Sequence, residues 1–170
     1  MIRRILYILV LFLLSSCWPT SVSFRDGSVP PEWKSFMINT LEGKAPNAPI
    51  SYASQLTEEL KDGVQNRLGL RLVVNESEKP QIIINGSIDN YSVTPLSLQD
   101  NTSSVKNRLT IRASFEIAIS EPKEDVMKLT SSRFADFDAS QDVGSVQAQL
   151  LEEIDEQIVQ DVLNKLLSNW

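Results

Sequence analysis

The chain has 170 residues, a formal net charge of −6 and a hydrophobic fraction of 42%, which suits one folded domain with its own core. It contains no histidine, which excludes serine–histidine and cysteine–histidine nucleophile pairs and most zinc sites. The acidic balance, without a basic tract, argues against nucleic acid as a partner. Because there is only one cysteine, we expect the fold to be held by its hydrophobic core and not by a disulfide.

The N-terminal segment has the pattern of an export signal. Residues 1–4 carry two arginines, residues 5–14 are apolar, and residues 14–17 are Leu-Ser-Ser-Cys. The apolar run is shorter than the roughly 20 residues that a membrane-spanning helix needs. The last string resembles the lipobox of bacterial lipoproteins, which are cleaved before the cysteine and acquire a diacylglycerol on its sulfur. We therefore predict that residues 1–16 are a removed signal peptide and that Cys17 is lipidated; the alternative is an uncleaved anchor.

The segment after the cysteine is predicted to be a tether that leads into the domain. Residues 17–34 comprise the lipidated cysteine and this tether, and residues 35–170 form a single α+β domain. Prolines and a glycine resist regular structure in the tether. The apolar side chains of Phe24, Val29 and Trp33 suggest that parts of it dock on the domain.

The first half of the domain predicts a strand, a helix and a second strand. Residues 35–41 form the first strand candidate. Apolar residues recur at every fourth position from Tyr52 to Leu68, which indicates an amphipathic helix. We expect Ser51 to cap this helix and Gly69 to end it. Residues 70–74 are the second strand.

Three further strands follow in the sequence. The first begins at Ile82, and its apolar parity changes near Asn90, which predicts a β-bulge or bend. A polar turn is expected at residues 99–104. Strict alternation over residues 108–119 predicts a strand of an antiparallel sheet with one buried and one wet face. A weaker strand is expected at residues 126–134.

The last predicted element is a long helix over residues 145–168, with apolar side chains every four residues. A four-residue repeat is longer than the 3.6-residue turn of a helix, so the apolar stripe shifts gradually around the helix. The helix should therefore cross the sheet obliquely. The element order is then β-α-β-β-β-β-α. We predict an α+β fold in which two amphipathic helices pack on one face of a four- to five-stranded mixed, mostly antiparallel sheet. The uncovered face would carry Thr110, Arg112, Ser114 and Glu116.

Four basic residues in or next to the predicted strands are candidate contacts for an anionic partner such as a lipid phosphate. The alternative is an ordinary solvated strand face. These residues are Lys106, Arg108, Arg112 and Arg133.

Residues 136–142 place acidic or hydroxyl side chains at alternate positions, like the opening of a calcium-binding EF-hand loop. Gln141 and Gln147 occupy the places where that loop needs a glycine and a bidentate glutamate. We therefore favour a loop that caps the last helix. No pair of carboxylates is distinguished from the others as a glycosidase pair would be. We expect no catalytic residues, no metal and no cofactor apart from the covalent lipid on Cys17.

Several strings spread along the chain resemble the lipopolysaccharide-assembly lipoprotein family LptE in its Bacteroidota-type form. The string Ser132–Asp138 is the most specific of them, and the order of the predicted elements also fits the family. The other strings are Ser23–Gly27, Val29–Pro31, Gly86–Tyr91, Val93–Pro95, Asn107–Ile111 and Asn164–Trp170.

The resemblance implies a non-enzymatic outer-membrane lipoprotein, tethered to the inner leaflet, that partners and plugs the LptD β-barrel. In that role it would help lipopolysaccharide to reach the outer leaflet, with lipopolysaccharide itself a candidate ligand. Trp18 and Pro19 after the cysteine favour the periplasmic side of the outer membrane. The alternative hypothesis is a periplasmic lipoprotein that binds a small ligand or the cell wall without a barrel.

Overall fold

The computed structural model describes residues 29–96 and 105–168. The predicted turn at residues 99–104 and the predicted docking of Phe24 therefore lie outside the described residues. Within these described residues there are six strands, two helices and one 3₁₀ turn at Glu76–Glu78. They are β1 (Ser35–Ile38), β2 (Glu42–Gly43), α1 (Tyr52–Leu68), β3 (Arg71–Leu72), β4 (Ile82–Leu96), β5 (Lys106–Ile119), β6 (Asp125–Asp138) and α2 (Val143–Leu167).

All six strands belong to one mixed sheet, which confirms the predicted α+β class. The order is β3-β1-β4-β5-β6, and β2 also pairs with β4. The long strands β4, β5 and β6 form an antiparallel meander, whereas β1 is parallel to both β3 and β4. Helix α1 lies between β1 and β3 in the chain and so supplies the crossover that a parallel pair requires.

The sheet has more strands than expected, because the predicted first strand ends at Ile38 and an unpredicted short strand, β2, follows it at Glu42–Gly43. β1 and β2 both run parallel to β4, with Met37 opposite Ile83 and Gly43 opposite Ile88. Between them, the backbone N–H of Leu41 donates to Thr57 Oγ1 of α1 at 3.1 Å. The chain thus leaves the sheet briefly to bond to the helix above it.

The predicted bulge in β4 is confirmed, but two strand lengths differ from the prediction. The pairing register of β4 with β5 shifts between Ile88 and Asn90, after which Tyr91 faces the core. β3 contains only two residues of the predicted 70–74. β6 extends to Asp138 because it pairs with β5 residue for residue along its whole length.

Both helices cover the same face of the sheet, as predicted, and one hydrophobic cluster fills the space between the layers. Each helix contributes a row of side chains at most 5% exposed. Trp33 is also buried, and its Nε1 donates to the Glu121 carbonyl at 2.7 Å, so the predicted docking of Trp33 is confirmed. The helix rows are Tyr52, Leu56, Leu60 and Val64 on α1, and Leu150, Ile154, Ile158, Val162 and Leu166 on α2.

The two ends of α1 differ in how well they were predicted. Gly69 ends the helix in the left-handed conformation with φ of 68°, and its N–H donates to the Gln65 carbonyl at 3.0 Å. The side chain of Ser51 makes no capping hydrogen bond, so that prediction is wrong. The reason lies in its backbone, which is already helical, whereas a side-chain cap needs an extended residue.

The helices approach each other closely at Gly63 of α1. A Cβ atom at this position would overlap a methyl group of Val159 on α2. Next to this contact lies a buried carboxyl group, Asp155, which is only 2% exposed. It accepts hydrogen bonds from Tyr52 Oη at 2.6 Å and from Gln55 Nε2 at 3.2 Å. The helices are therefore joined by both apolar packing and a buried polar contact.

The surroundings of Asp155 favour its protonated form. Burial raises its pKa to about 7, against the lowering effect of the hydrogen bonds from Tyr52 and Gln55. The charge of nearby Glu59 adds to the rise. Burial, and then the charge of Asp155, also raise the pKa of the Tyr52 hydroxyl, so this group stays protonated as the donor.

Replacing Asp155 should change how stability depends on pH. Because the pKa of Asp155 is about 7 in the folded protein and near 3.9 in an unfolded chain, the folded state holds the extra proton between these values. Asp155 therefore makes its full contribution to the free energy of unfolding below about pH 4, and this contribution is lost as the pH rises through 7. Asp155→Asn should abolish this loss and stabilise the protein at pH 8 by a few kcal/mol, at roughly 1.4 kcal/mol per pKa unit.

Urea unfolding of wild type and variant at pH 5, 6, 7 and 8 measures this difference. Glu153→Gln, which neutralises an exposed residue on the same helix, is the matched control and should follow the wild-type profile. Parallel pH profiles for wild type and Asp155→Asn would contradict the assignment.

Candidate interaction surface on the open sheet face

The sheet face that the helices leave uncovered is broad and mostly polar; we call it the open face. It consists of the outward side chains of β4, β5 and β6. Along β5, the side chains alternate between buried apolar residues under the helices and partly or fully exposed residues on the open face. The prediction for Thr110, Arg112, Ser114 and Glu116 agrees with this alternation, since Arg112 and Glu116 are exposed and the other two are half-buried.

One end of the open face carries a hydrogen-bonded ion pair over an aromatic ring. Arg108 of β5 donates to both carboxylate oxygens of Asp136 on β6, at 2.7 and 2.8 Å. Its guanidinium carbon also lies 3.6 Å from the centroid of the Phe134 ring. The hydrogen bonds from Arg108 lower the pKa of Asp136. Arg108 is thus committed to neighbours within the chain.

The middle of the open face is held by a second polar cluster around Asp89 of β4. Its carboxylate accepts from Ser114 Oγ at 2.5 Å and from Ser87 Oγ at 2.7 Å. Burial alone would raise the pKa of Asp89, but these hydrogen bonds and the charges of Lys44 and Arg112 outweigh it and lower the pKa. These hydrogen bonds hold side chains of β4 and β5 in place without a bound partner.

The remaining two predicted cations on β5 are exposed and available. Arg112 lies at the centre of the open face, opposite Asn90 on β4 and Ser132 on β6. Lys106 lies at the start of the same strand, opposite Asp138. Neither side chain forms a hydrogen bond or an ion pair with another residue in the described ranges. These two side chains can bind an anionic group at no cost in internal ion pairs.

Arg133 lies on the opposite face of the sheet, under α2. Its guanidinium forms two hydrogen bonds with Asp161, one of them from Nε to Oδ2 at 2.8 Å. Ser131 Oγ donates to the same oxygen at 2.6 Å. Burial raises the pKa of Asp161, but the hydrogen bonds from Arg133 and Ser131 outweigh it, so the pKa is lowered. The structure therefore places Arg133 in helix–sheet packing.

The acidic stretch at residues 136–142 is divided between a strand and a turn. Asp138, the last residue of β6, accepts from the Ser140 N–H at 2.8 Å and from its hydroxyl at 2.6 Å. α2 begins directly after Asp142, as a capping loop requires, but the Asp142 side chain makes no capping hydrogen bond. The predicted position of the cap is confirmed, whereas a hydrogen bond to the Asp142 side chain does not contribute to it. No group of three or more acidic or sulfur ligands with metal-binding geometry occurs among the described residues.

The two arginines Arg133 and Arg112 should respond differently to the same substitution. Arg133→Met removes the cationic partner of the half-buried Asp161 and should destabilise the protein by about 1–3 kcal/mol. Arg112→Met removes an exposed cation and should change stability by less than about 0.5 kcal/mol. Urea unfolding at pH 7 measures both. Equal effects would contradict the separation of a packing arginine from a surface arginine.

Two features of the described chain bear on its relation to membranes and to other proteins. Within residues 29–96 and 105–168, no helix is both long enough and apolar enough to cross a bilayer. No curated protein sequence gives a significant match to the chain.

Solved bacterial structures resemble this chain at low sequence identity. The hypothetical protein CT253 from Chlamydia trachomatis has a TM-score of 0.56 at 7% identity, over 80% of this chain and 99% of that one. A minor lipoprotein from Acinetobacter baumannii has a TM-score of 0.47 at 13% identity, over 81% and 94%. A putative lipoprotein from Caulobacter crescentus has a TM-score of 0.48 at 16% identity, over 76% and 88%. At these identities, CT253 supports the fold alone.

The family follows from the sequence itself. The model of the LptE family, described as lipopolysaccharide-assembly, matches residues 38–166 of this chain. That match runs from the end of β1 to the last turn of α2 and so includes every strand of the open face. The protein therefore belongs to the LptE family of lipopolysaccharide-assembly lipoproteins.

Proposed function

We propose that this protein is an outer-membrane lipoprotein that acts as a non-enzymatic partner and plug of an LptD-like β-barrel in lipopolysaccharide assembly. The observation that carries the proposal is the match of residues 38–166 to the LptE family, together with the broad open face in that same span. The interior of a large membrane β-barrel is polar, so a plug must present a polar surface to it.

The open face has the properties that a preformed docking surface needs. The bidentate pair of Arg108 with Asp136 and the bonds of Asp89 to Ser114 and Ser87 hold its side chains across neighbouring strands. Side chains that are already ordered lose little rotamer freedom on binding. The helices face the other way, so this surface can lie against a barrel wall without disturbing the core.

The anchor in this proposal is the lipid on Cys17. Acyl chains contribute about 0.8 kcal/mol for each buried CH₂ group, so several of them hold a folded domain at a bilayer without a spanning helix. Cleavage after residue 16 places the domain outside the cytoplasm. Trp18 and Pro19 favour the outer membrane, with the domain on its periplasmic side. The strings along the chain that resemble the Bacteroidota-type form of the family support that branch.

The exposed cations of the open face are the candidate contacts for lipopolysaccharide phosphates. Arg108 and Arg133 are held by carboxylates within the chain, whereas Arg112 and Lys106 are exposed. Because the chain as a whole is acidic, anion binding would depend on these two side chains and not on a general positive field.

Affinity purification from native membranes tests the barrel partnership. The tagged full chain, extracted in mild detergent, should co-purify a large β-barrel protein. Arg112→Glu, at the centre of the open face, should reduce the amount of barrel recovered about tenfold, because it reverses a charge within the contact. Lys123→Glu makes the same change in the exposed β5–β6 turn and should have no effect. If wild type recovers no barrel, a lipoprotein that binds a small ligand or the cell wall replaces this proposal.

The lipid anchor has its own test. Cys17→Ala, combined with a cleavable secretory signal in place of residues 1–16, should give a folded domain in the soluble periplasmic fraction. The wild-type chain should stay with the membranes, and mass spectrometry of its N-terminal peptide should find acyl chains on Cys17. An unmodified cysteine in the mature wild-type chain would contradict the lipid assignment.

A further inference from the structure

The two helices meet along a contact line that runs from Tyr52 and Asp155 at one end to Arg67 and Gln160 at the other; we call this line the helix seam. An apolar contact joins the helices between these ends, where a Cβ atom on residue 63 would lie 3.7 Å from the Cβ of Val159. Asp155 lies about one helical turn before Val159 on α2. The buried carboxyl group is therefore part of the seam.

Negative charge is concentrated along the helix seam. Among the described residues, a groove of about 370 Å³ between α1 and α2 is lined by four exposed carboxylates and one cation, Arg67. Ionisation of Asp155 adds a further negative charge beside these carboxylates, and like charges disfavour one another's ionised form. The four carboxylates are Glu59 and Asp62 of α1 and Glu152 and Glu156 of α2.

Neutral groups supply the hydrogen bonds that hold Asp155. Tyr52 Oη donates at 2.6 Å and Gln55 Nε2 at 3.2 Å. Because Gln55 is exposed, its amide can turn and offer its oxygen to a protonated carboxyl group. β5 presents apolar side chains to the helices, and Arg133 of β6 is paired with Asp161. The titratable groups that face this end of the seam from other elements are Tyr52 and Glu59 of α1 and Tyr91 of β4, whose ring meets that of Tyr52 edge-on at 6.0 Å.

The two ends of α1 are held differently. At its start, Ser51 makes no side-chain capping bond, and Ile50 before it is fully exposed. At its other end, Gly69 closes the helix in the left-handed conformation and Arg67 bonds to Gln160 of α2. Local opening begins at helix ends whose backbone groups lack such partners. Loosening of the seam is therefore expected at the end that Tyr52 and Asp155 hold.

We propose that the helix seam is a proton-controlled joint, which is closed while Asp155 carries a proton and opens locally at its Tyr52 end when that proton is lost to solvent. Opening lets water reach the carboxylate and moves it away from Glu59. The rest of the domain stays folded, so this event is distinct from the pH dependence of global stability. The inference concerns the helical layer and does not depend on the proposed function, which concerns the open face.

The direction of the pH effect follows from proton linkage. Burial raises the pKa of Asp155 to about 7 in the closed seam, whereas a solvated aspartate has a pKa near 3.9. The closed form holds the proton more tightly, so the equilibrium constant for opening rises with pH between these two values. One proton is released on opening, so the rise is at most about tenfold per pH unit and ends above about pH 7.

Thiol labelling of the full chain in mild detergent measures the opening. Val159→Cys places a small apolar side chain in the seam at a position that is 4% exposed. Its labelling rate, divided by that of free cysteine at the same pH, should rise several-fold per unit from pH 5 to 7 and then level off. Low urea should not change this rate. Ala113→Cys in β5 reports global unfolding, so it should label more slowly and accelerate with urea. Wild type, with Cys17 alone, gives the background.

Three substitutions in the Val159→Cys background assign the effect to Asp155. Asp155→Asn should make the corrected labelling rate independent of pH. Glu59→Gln should move the rise to lower pH, because the charge of Glu59 helps to raise the pKa of Asp155. Glu153→Gln, which neutralises an exposed residue of α2, is the matched control and should leave the profile unchanged. A rise that persists in Asp155→Asn, or a labelling rate as sensitive to urea as that of Ala113→Cys, would overturn the proposal.

A disulfide across the seam gives an independent test. The Cβ separation of 3.7 Å between positions 63 and 159 suits such a bond in Gly63→Cys/Val159→Cys. Hydrogen exchange of the α1 amides, corrected for the intrinsic effect of pH, reports opening in this variant. The reduced form should lose protection from pH 5 to 7, and the oxidised form should keep it. Equal loss of protection in both forms would show that the helices do not separate and would overturn the joint.

Discussion

The two-sided pairing of β5 is the constraint on which the rest of the structure depends. This strand pairs with β4 on one side and with β6 on the other along all 14 of its residues. Its alternate side chains from Leu109 to Ile119 are therefore all buried, and the residues between them all face away from the helices. A slip of one residue would exchange the two faces and place charges in the core. The polar open face thus follows from the same alternation that builds the core.

The helical layer depends on polar contacts as well as on apolar packing. α2 presents Asp155 to α1 and Asp161 to β6, and each carboxyl group accepts at least two hydrogen bonds. Yet the pKa of Asp155 is raised and that of Asp161 is lowered. The difference arises because an arginine faces Asp161, whereas Asp155 is more deeply buried and meets only neutral donors. One helix therefore holds, about two turns apart, a carboxyl group whose pKa is raised to about 7 and another whose pKa is lowered.

The two faces of the sheet differ in what they can contact. The helices cover one face of the sheet. The other face is polar, and hydrogen bonds between its own side chains hold those side chains in place. Membership in the LptE family gives the open face a context in lipopolysaccharide assembly, and an ordered polar surface is what the proposed barrel partnership requires.

The sequence by itself determined the elements whose side chains repeat regularly. The strict alternation in β5, the four-residue spacing in both helices and the change of parity near Asn90 were sufficient, because a local period reports which side of an element is buried. The sequence also carried the resemblance to the LptE family. Only the tertiary structure decided where β6 ends and what each arginine does. Arg112 and Arg133 both lie on strands, but strand pairing and the position of α2 set one on the open face and the other against Asp161. Asp161 lies 28 residues from Arg133 in the chain, so no local pattern could reveal that contact.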